Sequence, residues 1–411
     1  MKVLAYTSPA RGHLYPLVPI LLELQQRGHE VAVCTLAGEV EHLRGLGLSA
    51  AAIDPRVEAI AHDDYLSRSL VGALKRSTAV FVRRAGFEPV DLRAAVADSA
   101  PDVLVVDTNC WGAQAAAEAS GLPWASFLPF PAPFPGRGVP PFGPGLAPAR
   151  GVLGRLRDRL LRPLLLGAVE RSIRPPLNQV RRRVGVSPVR DATDIYTRAP
   201  LTLYLTAEPL EYHRSDWPPS FRLVGPIAYD PPASAPEWLD AVDKPVVLVT
   251  TSSEFQNDGK LIAAALDGLR AEDVFVVGTL PSGGTAAFDV PANARLERFL
   301  PHSLVLGKAS CAVTHGGMGA TQKALAAGVP VVTVPFGRDQ LEVARRVEVS
   351  GAGVRLPAAK LSPDRLRAAV VEAMGRRPAA QRLAKALADA GGARKAADEV
   401  QAFCSAALKT G

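Results

Sequence analysis

Short apolar runs recur along this chain, each followed by a longer stretch with helical spacing, and the whole alternation is played twice. In the first half KVLAYT (residues 2–7), HEVAVCT (29–35) and DVLVVD (102–107) are short, largely apolar runs rather than alternating ones. Strands of that kind are buried on both faces, which parallel sheets covered by helices on each side achieve. The second half repeats the plan with PVVLVT (245–250), VFVVGT (274–279), CAVT (311–314) and VPVVTVP (329–335). The expected fold is therefore α/β, with two Rossmann-like domains, and 411 residues suffice for both. Pro and Ser cluster over residues 216–236 (DWPPSFRLVGPIAYDPPASAP), the composition of a semi-rigid connection. This divides the chain into 1–215, a connector at 216–236, 237–390, and a helix-favouring tail at 391–411.

Three segments carry finer expectations. PLVPILLELQQRG (16–28) starts with proline and ends on glycine, the preferred helix boundaries. PFPAPFPGRGVPPFGPGLAP (129–148) cannot be regular helix or central strand, so it reads as a surface loop whose phenylalanines are suited to an apolar wall. GVLGRLRDRLLRPLLLGAVERSIRPPLNQVRRR (151–183) holds much of the formal +7 charge and reads as a solvated helical face, with a membrane surface as the alternative.

Composition narrows the function classes. Neither zinc finger, helix-turn-helix nor RNA-binding signature accompanies the basic residues, which argues against nucleic acid. Four scattered cysteines offer neither a disulfide framework nor metal-ligand spacing, consistent with a reducing cytoplasm. No charged leader with a cleavage site precedes the first strand, and no run approaches the ~20 apolar residues of a spanning helix. A soluble cytoplasmic protein is expected, with a homodimer left open.

The densest chemical signal is THGGMGATQKALAAGVPVVTVPFGRDQ (314–340), where a strand ends in His315 and passes through glycines into a helix. Gly316, Gly317 and Gly319 allow close backbone approach, and the opening N–H groups of the helix make an anion cradle. His315 adds a donor for charge growing on a phosphate.

On these residues the chain resembles glycosyltransferase family 1, nucleotide-diphospho-sugar enzymes of the GT-B fold. That resemblance implies two facing Rossmann-like domains, with the C-terminal helix packing back on the first. It implies that His315, Gly317, Met318 and Gly319 hold a diphosphate and that Asp339 and Gln340 bind sugar hydroxyls. RFLPHSLVL (298–306) resembles the segment in which an aromatic residue stacks on the nucleobase, here Phe299, with Leu300 reading the base edge. Lys323 stands where many relatives carry a ribose-binding glutamate. A dTDP donor, lacking the 2′-hydroxyl, needs that contact less, and Gln322 is a substitute for it.

TSPARGHLYP (7–16) follows the first strand, and in the resembling family its histidine is the general base, here His13. Asp107 ends another buried strand, where the family's orienting carboxylate lies. TTSSEF (250–255) reads as a strand end opening a helix, with Ser253 and then Ser252 as diphosphate contacts. Trp111, Phe130 and Phe134 are the candidates for the acceptor wall.

The implied activity is metal-independent, inverting transfer of a deoxysugar to an apolar natural product such as a polyketide, at a hydroxyl or an aromatic carbon. No cofactor beyond the nucleotide sugar is expected. Two alternatives remain: a glycolipid sugar transferase working at a membrane surface, and a non-catalytic GT-B-like activator of another transferase.

Overall fold

The computed structural model describes residues 1–67, 69–285 and 288–410. The first sheet contains β1 (Lys2–Tyr6), β2 (Glu30–Thr35), β3 (Ser49–Ala52), β4 (Val103–Asp107), β5 (Trp124–Leu128), β6 (Leu201–Tyr204) and β7 (Phe221–Leu223), ordered β3-β2-β1-β4-β5-β6-β7. The second contains β8 (Val246–Thr250), β9 (Phe275–Thr279), β10 (Ala294–Glu297), β11 (Ala309–Thr314), β12 (Val331–Thr333) and β13 (Gly353–Arg355), ordered β10-β9-β8-β11-β12-β13. Every pairing is parallel. Each sheet therefore reverses its winding once, between β1 and β4 and between β8 and β11. In such sheets ligands bind beyond the strand ends at that reversal.

Six helices bear on the cleft and on the docking of the two domains: α1 (Arg11–Gln26), α2 (Gly151–Val184), α3 (Lys260–Gly268), α4 (Met318–Ala326), α5 (Gln340–Ser350) and α6 (Gly392–Thr410). As expected, α6 crosses back to the first domain. Its Ala396, Ala397, Val400 and Cys404 are buried in one cluster with Leu14, Leu17, Leu21 and Leu24 of α1. The two chain passages between the domains also touch, since Gly392 N–H donates to the Val224 carbonyl at 2.7 Å.

Four expectations need correction. Helix α1 starts five residues before Pro16 and carries Pro16 and Pro19 inside it. Burial of Leu14, Leu17, Val18, Ile20, Leu21 and Leu24 along one stripe outweighs the hydrogen bonds the prolines forfeit. The connector is shorter than residues 216–236, because Phe221–Leu223 forms β7 at the edge of the first sheet. Residues 129–150 are irregular, but they are not a free surface loop: Gly143 and Gly145 N–H donate to Glu342 Oε1 at 2.8 and 2.9 Å, across the domain boundary. Finally, Thr250–Phe255 does not open a helix. Asp258 Oδ2 accepts from Ser252 N–H at 2.7 Å and Asn257 takes φ +57, so the chain stays irregular until α3.

Beside the irregular loop, Arg346 lies buried between Glu211 of the first domain and Glu342 of the second, at 2.9 and 3.0 Å. A buried guanidinium that lost either partner would keep its desolvation penalty, so this contact fixes the register of the two domains. Among the described residues no helix is long and apolar enough to cross a membrane.

Because Val400 is completely buried against the first domain, Val400→Asp should destabilise the chain by on the order of 3 kcal/mol or more. Denaturant unfolding followed through Trp111 and Trp124 fluorescence checks this, and the loss should appear in the first domain although the substitution lies near the C-terminus.

Candidate active site

The two winding reversals face each other, and each carries one of the constellations read from the sequence. After β1, the first turn of α1 presents His13, and β4 ends on Asp107, which has no solvent exposure. His13 Nδ1 lies 2.9 Å from Asp107 Oδ2 and 3.0 Å from Oδ1. The carboxylate also accepts from Ser8 N–H at 2.9 Å, Ser8 Oγ–H at 2.6 Å and Asn109 N–H at 2.9 Å. This leaves Nε2 facing the cleft, with Asn109 Nδ2 3.3 Å away and the Phe130 ring 5.9 Å from the imidazole.

Burial alone would lower the His13 pKa, but the charge and hydrogen bond of Asp107, with Glu254 and Asp339 nearby, raise it above the ordinary histidine value. Burial likewise pushes the Asp107 carboxyl up, and its pairing with His13 and bonds from Asn109 and Ser8 more than reverse that, so it stays ionised. The pair is a histidine oriented by an anion, able to take a proton at Nε2.

Across the cleft, β11 delivers His315 and Gly317 caps α4 with no side-chain bond. Gly316 adopts φ +88, where a Cβ would press on Gln340. At Gly317 a Cβ would come within 2.3 Å of His315 Nε2, so only glycine lets the imidazole lie over this turn. The Gly319 position is open. Met318 is buried, so its offering to a ligand is its backbone N–H. His315 Nδ1 is buried without a partner, and burial keeps the ring below its ordinary pKa, hence neutral and able to donate. Glycine backbone and a helix N-terminus beside a histidine are groups of the kind that accept an anion.

Around the cradle, Ser253 is exposed and, with Glu254, Pro9, Arg11 and Glu39, lines a cavity of about 190 Å³ shared by both domains. Ser252 is buried and occupied: its N–H goes to Asp258 and its Oγ accepts from Glu254 N–H at 3.2 Å. Asp339 caps α5 without a side-chain capping bond, and burial raises its carboxyl above the ordinary value although its own backbone N–H and the Arg338 charge oppose this. Gln340 is largely committed, because Oε1 accepts from Phe336 and Gly337 N–H at 2.7 and 3.1 Å and Nε2 donates to Gln256 at 2.7 Å. Phe299 is 48% exposed, a free aromatic face, while Leu300 beside it is buried. Lys323 reaches out of α4 to the Tyr229 carbonyl at 2.8 Å and to Asp230 Oδ1. Gln322 instead donates to the Leu205 carbonyl at 3.0 Å.

Of the aromatic acceptor candidates, only Phe130 lies beside the base. Trp111 is fully buried against Phe81 and Leu177, and Phe134 packs into a core cluster with Tyr204, Trp217 and Phe221. Both are core residues: proximity in sequence to a functional strand end does not determine which way a ring points. Tyr196 stands edge-on to Phe130 at 6.4 Å. Sequence reading also passed over Ser8 and Asn109. Each lies within two residues of a strand end already singled out.

Comparison with known proteins gives the family and the fold. Residues 263–406 match the family model described as "Erythromycin biosynthesis protein CIII-like, C-terminal domain". The chain is 36% identical over 385 residues to 4'-demethylrebeccamycin synthase of Lentzea aerocolonigenes, covering 90% of each protein. Its fold is similar to those of the glycosyltransferase VinC in complex with DTDP (23% identity, TM-score 0.73, 98% of this chain and 100% of that one) and the glycotransferase of kitacinnamycin (24% identity, TM-score 0.73, 98% of each).

The His13 imidazole should titrate above about 6.5, the ordinary histidine value. In Asp107→Asn the raising charge is gone while burial persists, so the midpoint should drop below that value. Proton-detected NMR titration of both proteins reads this directly.

Proposed function

Since the chain belongs to the GT-B glycosyltransferases of natural-product biosynthesis, we propose that it transfers a deoxysugar from a dTDP donor, with inversion, to a hydroxyl of an apolar natural product. The carrying observation is the His13–Asp107 pair at one winding reversal facing the His315–Gly319 cradle at the other. Acceptor O–H gives its proton to His13 Nε2 as its oxygen attacks the anomeric carbon. On the opposite face the bond from that carbon to the diphosphate oxygen breaks, and the electron pair leaves with the nucleoside diphosphate. Asp107 balances the imidazolium, while neutral His315, Ser253 and the free amides opening α4 meet the departing charge. No metal is needed in this scheme, so activity should survive chelator.

Donor selection follows from the second domain. Phe299 offers a stacking face to the base. With Lys323 and Asp230 committed to each other, and Asp230 also accepting from Ser303 N–H at 2.9 Å, α4 presents no carboxylate to a ribose. A deoxyribose loses least by that. The VinC structure holding DTDP supports the same choice. Asp339 is the main contact for sugar hydroxyls, with Gln340 shaping the turn and offering at most its second N–H. For the acceptor, Phe130 and Tyr196 form an apolar wall next to the base, and an activated aromatic carbon would meet the same histidine.

One feature favours a second reading, transfer at a membrane surface. The first turns of α2 expose Val152, Leu153, Leu156, Leu160 and Leu164, Leu153 by 81%, among exposed Arg150, Arg155 and Arg159. Basic amphipathic helices of that kind bind anionic interfaces. Co-sedimentation with anionic vesicles decides between them, and failure to bind removes the membrane reading.

A mass-spectrometric screen of dTDP and UDP sugars against apolar acceptors should show transfer. His13→Ala should lower it by about a hundredfold or more, and full activity in that variant would overturn the assignment. Lys323→Glu should shift preference towards UDP donors. Absence of turnover with every donor would instead favour a non-catalytic activator.

A further inference from the structure

Arg338, immediately before Asp339, is one of three non-glycine residues with positive φ among the described residues, at +54. Left-handed backbone is disfavoured for a side chain of this size, so the surroundings must hold it there. The groups that hold it come from elsewhere in the chain. Arg338 Nε and Nη2 donate to Asp64 Oδ2 and Oδ1 at 3.0 and 2.9 Å, a bidentate pair, and Nη1 donates to Glu254 Oε2 at 2.9 Å. Asp64 belongs to a short turn of the first domain and is 6% exposed. Glu254 follows Ser253 in the loop after β8. Beside them Tyr65 meets Phe255 edge-on at 5.3 Å, a second contact between the same two loops.

One guanidinium thus ties together the turn carrying Asp339, the loop carrying Ser253 and the acceptor domain. We infer that Arg338 is a positioning residue that makes the aim of Asp339 depend on contact with the first domain through Asp64. With the pair made, the left-handed turn is held and the Asp339 carboxylate is fixed beside the cradle. Without it, the turn relaxes towards ordinary backbone and Asp339 swings from the sugar. Burial raises the Asp64 carboxyl, but the hydrogen bonds and charge of Arg338 bring it below its usual range, so the pair is ionic across neutral pH. The chemistry assigned to Asp339 rests on the proposed function, whereas the dependence of its turn on Asp64 does not.

Two readouts separate these. Amide hydrogen exchange over residues 336–341 needs no substrate. Asp64→Asn, placed in the other domain and 274 positions away, should speed exchange there by about fivefold or more, as should Arg338→Gln. The double variant should be no faster than the faster single one, because both remove the same contact. Should Asp64→Asn fold poorly, Asp64→Glu, which keeps the charge but alters its reach, should show an intermediate increase. Unchanged exchange in the Asp64 variants, or additive effects in the double variant, would overturn the inference. With an active donor, the same variants should raise KM for the nucleotide sugar while leaving inhibition by the bare nucleoside diphosphate within about twofold. Equal loss of both would assign Arg338 to general loop stability and also overturn it. Absence of all turnover in the wild type would sink the proposed function alone, with exchange still judging Arg338.

Discussion

A carboxylate shut off from water must be satisfied by the protein or be neutralised, and Asp107 is satisfied from three directions. Ser8 reaches it from the end of β1, Asn109 from just beyond β4, and His13 from the first turn of α1. Meeting that one demand places the imidazole, sets its tautomer and turns Nε2 into the cleft. The parallel sheet makes this feasible because β1 and β4 are neighbours whose ends open on the same side.

The second domain solves a different electrostatic problem with the same geometry. Backbone N–H groups, a helix end and a histidine kept below its ordinary pKa by burial line its cradle, so the diphosphate proposed for it would meet dipoles first.

Strands were legible because burial on both sides leaves largely apolar runs, and a polar residue ending such a run stands out. Asp107 and His315 stand out this way, whereas His13 and Asp339 are singled out through the resemblance to glycosyltransferase family 1. Side-chain direction was not legible. Trp111 and Phe134 sit beside the right strands but point into the core, and Gln340 spends most of its amide on its own loop. Nor could the sequence indicate that Asp64 meets Arg338, since that pairing depends on how two domains are docked and leaves no local pattern. Helix α1 shows the limit of start signals: a buried leucine stripe carried the helix through two prolines.

The return of α6 to the first domain bears on how the protein emerges from the ribosome. The leucine face of α1 is made early, yet the residues that cover it, Ala396, Ala397, Val400 and Cys404, are synthesised only after the second domain. The first domain must therefore wait, with apolar surface uncovered, through translation of the entire second domain. This is a natural recruiting point for a chaperone, and a reason for the second domain to fold quickly.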